Sequence, residues 1–211
     1  MRHLIDFGDL TRAEWDSLYQ RWSEIMDHPA DLMDACRGRV MASLFYEPST
    51  RTNFSFQTAM LRVGGTVFGF ADPKSTSTAK GETLKDTNKM VSGYADVVGM
   101  RNPKSGAAKA GTLDPDVPVI NAGDGGHMHP TQTTADLTTI TRLRGSVDGL
   151  SIGLCGDLKN GRTVHSLIKA LSKFKDIRFY LIAPRDLALP QYLRQFLQAR
   201  TMPLVAVPVL E

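Results

Sequence analysis

An α/β fold of two parallel-sheet units, with helices on both faces and the second unit incomplete, is what the 211-residue sequence predicts. Apolar runs of strand length alternate with helix-period segments from residue 39 to residue 145. The same alternation restarts beyond Gly149. The last apolar run, 202–211, has no element after it, so the chain is expected to stop inside a domain.

Thr11 and Glu14 form the T-x-x-E of a capping box, and Trp15, Leu18, Trp22 and Ile25 follow at spacings of three and four, which predicts the first helix. Residues 39–47, "RVMASLFYE", have the length and composition of a strand that Pro48 closes. From Thr52 to Val63, Phe54, Thr58 and Leu61 share one line and Phe56, Met60 and Val63 the neighbouring one, so a helix buried on a broad face is expected. Gly64 and Gly65 stop it before the strand "TVFGF", 66–70. Asp72 to Thr78 hold no apolar residue that could join a core and read as a flexible loop ahead of a helix beginning near Glu82. Strands ending at Met100 and Ala122 come next, then a helix over 129–145 with Pro130 in its first turn. Beyond Gly149, "LSIGLCGD", "GRTVHSLIKALSKF" and "IRFYLIAP" read as strand, helix and strand. Both units are Rossmann-like, the first over 1–134 and the second over 135–211, with the His129 helix as the bridge.

Hydrophobic residues make up 42% of the chain and charged residues 22%, the balance of a globular protein. The 25 Lys and Arg against 22 Asp and Glu are scattered, which argues against a nucleic-acid surface. Cys36 and Cys155 belong to no C-x-x-C pair and read as reduced core thiols, with no metal site. No signal-peptide run and no membrane span is legible, so a cytoplasmic location is expected.

Polar clusters sit where strands end, the place at which open α/β sheets bind ligands. Ser49, Thr50, Arg51 and Thr52 stand in a row at a helix start, where unpaired N–H groups and the helix dipole favour an anion. Arg51 adds a fork that holds two phosphate oxygens. The plainer reading is an ordinary N-cap with a solvated arginine. Arg101 ends an apolar strand, where a buried charge needs an anion to meet it. His129, just before Pro130 at a helix start, is suited to act as a neutral donor that polarises a carbonyl, and Gln132 lies one turn in. Lys80 sits in the loop, and Arg162 opens the first helix of the second unit, where a second anion fits. A dinucleotide site is disfavoured because "GLCGDLKNG" lacks the G-x-G-x-x-G spacing.

"PSTRT" at 48–52, "KGETLKDT" at 80–87, Met100-Arg101 with Pro103, "NAGDG" and "HPTQT" between 121 and 133, and "GDLKNGRTVHSL" at 156–167 together resemble the aspartate carbamoyltransferase family. Ornithine carbamoyltransferases share S-T-R-T and H-P-x-Q, but the "GDLKNGRTVHS" stretch and the Lys80 loop are similar to the aspartate enzymes. The resemblance implies that carbamoyl phosphate is held by Ser49, Thr50, Arg51, Thr52, Arg101, His129 and Gln132, with Ser77 and Lys80 reaching in from a neighbouring subunit of a homotrimer. Thr52, Arg101 and His129 would meet the carbonyl oxygen, Gln132 the carbamoyl nitrogen, and Arg162, with Lys80, a carboxylate of aspartate. It implies Arg51, Thr52, Lys80, Arg101 and His129 as the catalytic set, with no cofactor or metal, and leaves room for a regulatory subunit. Residues 1–134 would be the carbamoyl-phosphate domain and 135–211 the start of the aspartate domain. Asn53, Gln57, Asn102, Thr134, Ala135 and Asn160 depart from the usual pattern, and family members continue further. A non-catalytic anion-binding or assembly subunit is the alternative.

Overall fold

The computed structural model describes residues 2–126 and 128–208. Helix α1 (Arg12–Asp27) starts at the predicted capping box: Thr11 Oγ1 accepts the Glu14 N–H at 3.3 Å, and Glu14 Oε2 accepts the Thr11 N–H at 2.7 Å. The first unit then runs β1 (Val40–Phe45), α2 (Thr50–Arg62), β2 (Thr66–Phe70), α3 (Leu84–Ser92), β3 (Val97–Asn102), α4 (Ala107–Ala110) and β4 (Val119–Asp124). Helix α5 (Pro130–Arg144) leads to β5 (Ser151–Cys155), α6 (Arg162–Leu171), β6 (Arg178–Ala183), α7 (Gln191–Gln198) and β7 (Leu204–Pro208). Residues 209–211 of the predicted last run lie outside the described residues.

Both sheets are parallel throughout, ordered β2-β1-β3-β4 and β5-β6-β7. In the first, the order reverses at β1 and β3, so the loops leaving these neighbours diverge and open a crevice beyond their carboxyl ends. The N-terminal segment covers the β4 edge: Leu4 N–H donates to Val119 O at 2.9 Å, and Asn121 N–H to Leu4 O at 2.8 Å.

Two apolar cores result. Leu44, Val98, Met100 and Val119 centre the first; Leu137, Ile168, Phe179 and Leu193 belong to the second. Trp15 of α1 is buried in the second core, not the first, and Arg12 fixes the helix there through Asp148 at 2.9 Å. Among the described residues, no helix is long and apolar enough to cross a membrane.

Four expectations change. The broad buried face of α2 narrows to one stripe: Phe56, Met60 and Val63 turn inward, whereas Phe54 is 62% and Leu61 57% exposed. Helix α2 packs on β1 and β2 at the sheet's edge, and an edge supplies backing for one line of side chains only. The loop from Asp72 is two short 3-10 turns, Pro73–Ser75 and Ser77–Lys80, held because the Asp72 and Thr76 side chains accept the N–H groups of Lys74 and Thr78. Cys36 is half-buried and Cys155 exposed, so neither is a core thiol. Cys155 lies with Ser151 and Gly153 on the open side of an edge strand, while Leu154 is buried on the other. Strands β3 and β4 also run two residues past their expected ends, to Asn102 and Asp124, so Arg101 belongs to the strand rather than the loop after it.

Candidate active site

Tyr46 N–H donates to Arg101 O at 2.8 Å, which extends the β1–β3 ladder to the lip of the crevice. Glu47 follows, Pro48 interrupts the chain, and Ser49 takes the N-cap position of α2. Its side chain makes no capping hydrogen bond, so the plain N-cap reading does not hold for Ser49, and its hydroxyl satisfies none of the N–H groups that a helix start leaves unpaired. Ser49, Thr50, Arg51 and Thr52 all line that crevice. The start of the helix is anchored from below. Asn53 Oδ1 accepts from Ser43 Oγ at 2.8 Å and from Gln57 Nε2 at 2.7 Å, so two of the residues that depart from the family pattern form one neutral pair.

Arg101, at the tip of β3, is 8% exposed. Its Nη1 donates to Thr52 Oγ1 at 3.4 Å, and its Nε stands 2.7 Å from Glu47 Oε1. That Nε–H has no aligned acceptor among the described residues, so the contact with Glu47 is an electrostatic pair more than a directed hydrogen bond. Burial, then the neighbouring Arg162, lowers the pKa of Arg101, while Glu47 acts to raise it. A guanidinium remains charged nonetheless.

The tip of β4 is shaped by its own polar side chains. Asn121 Oδ1 accepts the Gly123 N–H at 2.8 Å, and Asp124 Oδ2 accepts the Gly106 N–H at 2.8 Å. Gly123 is held at φ +117°, a conformation that favours glycine. A Cβ placed on it would lie 3.4 Å from Arg101 Nη1, 3.5 Å from His129 Cδ2 and 3.6 Å from Arg162 Nη1. Side chains from three separate strand ends thus meet around one point that a glycine keeps open.

His129 is the N-cap residue of α5 but makes no capping bond. Burial, and after it Arg162 and Arg101, push the imidazole pKa down to about 4, with Glu47 opposing. The ring is neutral at pH 7, and Nδ1 is 3.4 Å from Thr131 Oγ1. Arg162, the first residue of α6, donates through Nη1 to Gly125 O at 2.8 Å and to Glu47 Oε1 at 3.0 Å. Gln132 lines the crevice one turn into α5 and donates to Asp136 at 2.9 Å.

The crevice has a volume of about 1530 Å³, with Trp22, Ile25 and Met26 of α1 on its apolar wall. Of the residues singled out from the sequence, Ser49, Thr50, Arg51, Thr52, Arg101, His129, Gln132 and Arg162 come together here. Ser77 and Lys80 do not: both are exposed on the 3-10 turns and neither lines the crevice. Sequence reasoning missed Glu47, Gly123, Thr131 and Asp136. An acidic residue immediately before an otherwise cationic cluster was the available signal for Glu47. Among the described residues, no group of three or more His, Cys, Asp or Glu is placed to hold a metal.

Residues 2–142 match the model of the carbamoyl-P binding domain of aspartate/ornithine carbamoyltransferase. The aspartate carbamoyltransferase catalytic subunit of Clostridium perfringens is 54% identical over 194 residues, which are 92% of this chain and 63% of that one. The Clostridium novyi subunit is 50% identical over 210 residues, 100% of this chain and 69% of its own. Among solved structures, aspartate transcarbamoylase from Trypanosoma cruzi in complex with carbamoyl phosphate and aspartate superposes with a TM-score of 0.90 at 36% identity, covering 100% of this chain and 68% of that one. The M. jannaschii catalytic subunit superposes with a TM-score of 0.89 at 44% identity, covering 98% and 68%. This chain thus spans about two thirds of the length of the relatives it matches. With the family's domain matched over residues 2–142 and half of the residues identical to those of the Clostridium novyi subunit, the chain belongs to the aspartate/ornithine carbamoyltransferase family.

Proposed function

We propose that this chain forms the carbamoyl-phosphate-binding part, and the first elements of the aspartate-binding part, of an aspartate carbamoyltransferase catalytic subunit. The parts are residues 1–134 and 135–211. The reaction transfers the carbamoyl group of carbamoyl phosphate to the amino group of L-aspartate, giving N-carbamoyl-L-aspartate and phosphate, a step of pyrimidine biosynthesis in the cytoplasm. The observation that carries this reading is the meeting of Arg101, His129 and Arg162 around Gly123, beside the uncapped start of α2.

The phosphate of carbamoyl phosphate sits against Ser49, Thr50, Arg51 and Thr52, where the helix terminus alone favours an anion by about 0.3–1 kcal/mol. Arg101 reaches both the phosphate and, with Thr52 and neutral His129, the carbonyl oxygen. As the aspartate amine attacks the carbonyl carbon, that oxygen becomes an oxyanion, and each fixed donor is worth roughly 2.7–4 kcal/mol to it. The carbon–phosphate oxygen bond then breaks, and the amine proton leaves with phosphate or solvent. Arg162 holds a carboxylate of aspartate. The Glu47 carboxylate between Arg101 and Arg162 supports both arginines as anion-binding groups, since a carboxylate already occupies the place between them.

Ser77 and Lys80 complete the site from a neighbouring subunit of a homotrimer. Their exposure away from the crevice and the exposed apolar side chains of Phe54 and Leu61 support this arrangement. A regulatory subunit is a further candidate partner. Calorimetry with phosphonoacetyl-aspartate, together with an assay for carbamoyl-aspartate, tests the reading. Binding much tighter than that of inorganic phosphate is the expected result. Phosphate-like affinity with no product, from this chain and from a form extended to the length of its relatives, would overturn it in favour of a non-catalytic anion-binding subunit.

A further inference from the structure

The first two turns of α5 carry Gln132 and Asp136, and the contact between them is a feature that the reaction above does not use. Gln132 Nε2 donates to Asp136 Oδ1 at 2.9 Å, an i to i+4 contact along one face of the helix. Asp136 is half-buried, and Gln132 is its only hydrogen-bonding side chain among the described residues. Burial raises the Asp136 carboxyl pKa above its ordinary value, and the hydrogen bond from the Gln132 amide, made to the ionised form, acts against that rise. An ionised carboxylate accepts hydrogen bonds and cannot donate them. It therefore takes the NH₂ end of the Gln132 amide and leaves the carbonyl end for the crevice that Gln132 lines.

We propose that Asp136 is a positioning residue that fixes the orientation of the Gln132 amide, so that the crevice presents an acceptor and selects a ligand bearing a carbamoyl NH₂ over one bearing a methyl group of the same size. This rests on the reading that Gln132 faces the carbamoyl end of the bound ligand. A glutamine free to turn offers donor or acceptor with equal ease and discriminates weakly. One whose NH₂ group is turned toward a carboxylate presents its carbonyl oxygen on the opposite side, and leaving that acceptor unmatched against a methyl group carries a penalty.

The test is calorimetry on the full 211-residue chain with two phosphonates that share the anion and the carbonyl: phosphonoacetamide, which ends in NH₂, and 2-oxopropylphosphonate, which ends in CH₃. The readout is the ratio of the two affinities within each variant, so a general weakening cancels. The unsubstituted chain is expected to prefer the amide by about tenfold. Asp136→Asn, whose side chain both donates and accepts, and Asp136→Ala, which removes the acceptor, are each expected to bring the ratio below about twofold, and Asp136→Glu to restore most of it. A full preference retained in both Asn and Ala variants, with Gln132→Ala abolishing it, would overturn the role of Asp136 and leave the functional reading intact. If Gln132→Ala also keeps the preference, or the unsubstituted chain has none, the placement of Gln132 against the carbamoyl group fails and the inference fails with it.

Discussion

Glu47 Oε1 stands 2.7 Å from Arg101 Nε and 3.0 Å from Arg162 Nη1, and this carboxylate occupies the place between the two guanidinium groups that an incoming anion would take. Replacing it by glutamine removes the competitor and leaves two like charges facing each other. Glu47→Gln is therefore expected to bind inorganic phosphate about five to ten times more tightly and to lose about 1–3 kcal/mol of stability in urea. Weaker phosphate binding in calorimetry would mean that Glu47 holds the arginines in place rather than competing for them. His129 gives a second expectation at this scale. Its pKa falls from the ordinary 6.5 to about 4 in the folded chain, so between these values only the unfolded chain takes up the proton. The stability of the neutral ring is complete above pH 6.5 and is lost as pH falls toward 4. From pH 7 to pH 5 the chain should lose about 2 kcal/mol more than His129→Gln does, measured as the difference in urea unfolding curves. Equal losses in the two proteins would show that the imidazole is not held neutral.

Helix α1 opens the chain yet contributes Trp15, 3% exposed, to the core of the second unit. Trp15→Ala should cost about 3–5 kcal/mol. Hydrogen exchange should accelerate in β5 and β6 before it does in β1 and β3; the reverse order would place α1 with the first sheet. The elements themselves were legible in the sequence because their signals are local. The Thr11–Glu14 box, Pro130 at the first position of α5 and the glycines after α2 act within a turn of the residue that carries them. Two helices escaped for the same reason. Helix α4 is a single turn, and α7 begins after Pro190 with neither a side-chain cap nor an acidic first turn. Which stripe of α2 is buried was not legible at all, since Phe54 and Phe56 differ only in whether a sheet lies beneath them.

Across the molecule, exposed Phe54, Leu61 and Phe68 lie on α2 and the edge strand β2 of the first sheet. If this face joins subunits of a trimer, Phe54→Asp and Leu61→Asp should give monomers in sedimentation experiments. Because these side chains are open to solvent in a single chain, each monomer should keep its stability within about 0.5 kcal/mol. An unchanged assembly state would remove the face from the interface. The alternation of strand and helix and the placing of polar clusters at strand ends were determined by the sequence alone, because periodicity, turn chemistry and capping are properties of neighbouring residues. The tertiary structure decided the order β2-β1-β3-β4, which sets Glu47 beside Arg101 and lets Arg162, more than a hundred positions further on, share the same carboxylate. Such pairings depend on which strands become neighbours and on how far burial strips water from the charges between them, and neither quantity is written in any short stretch of the chain.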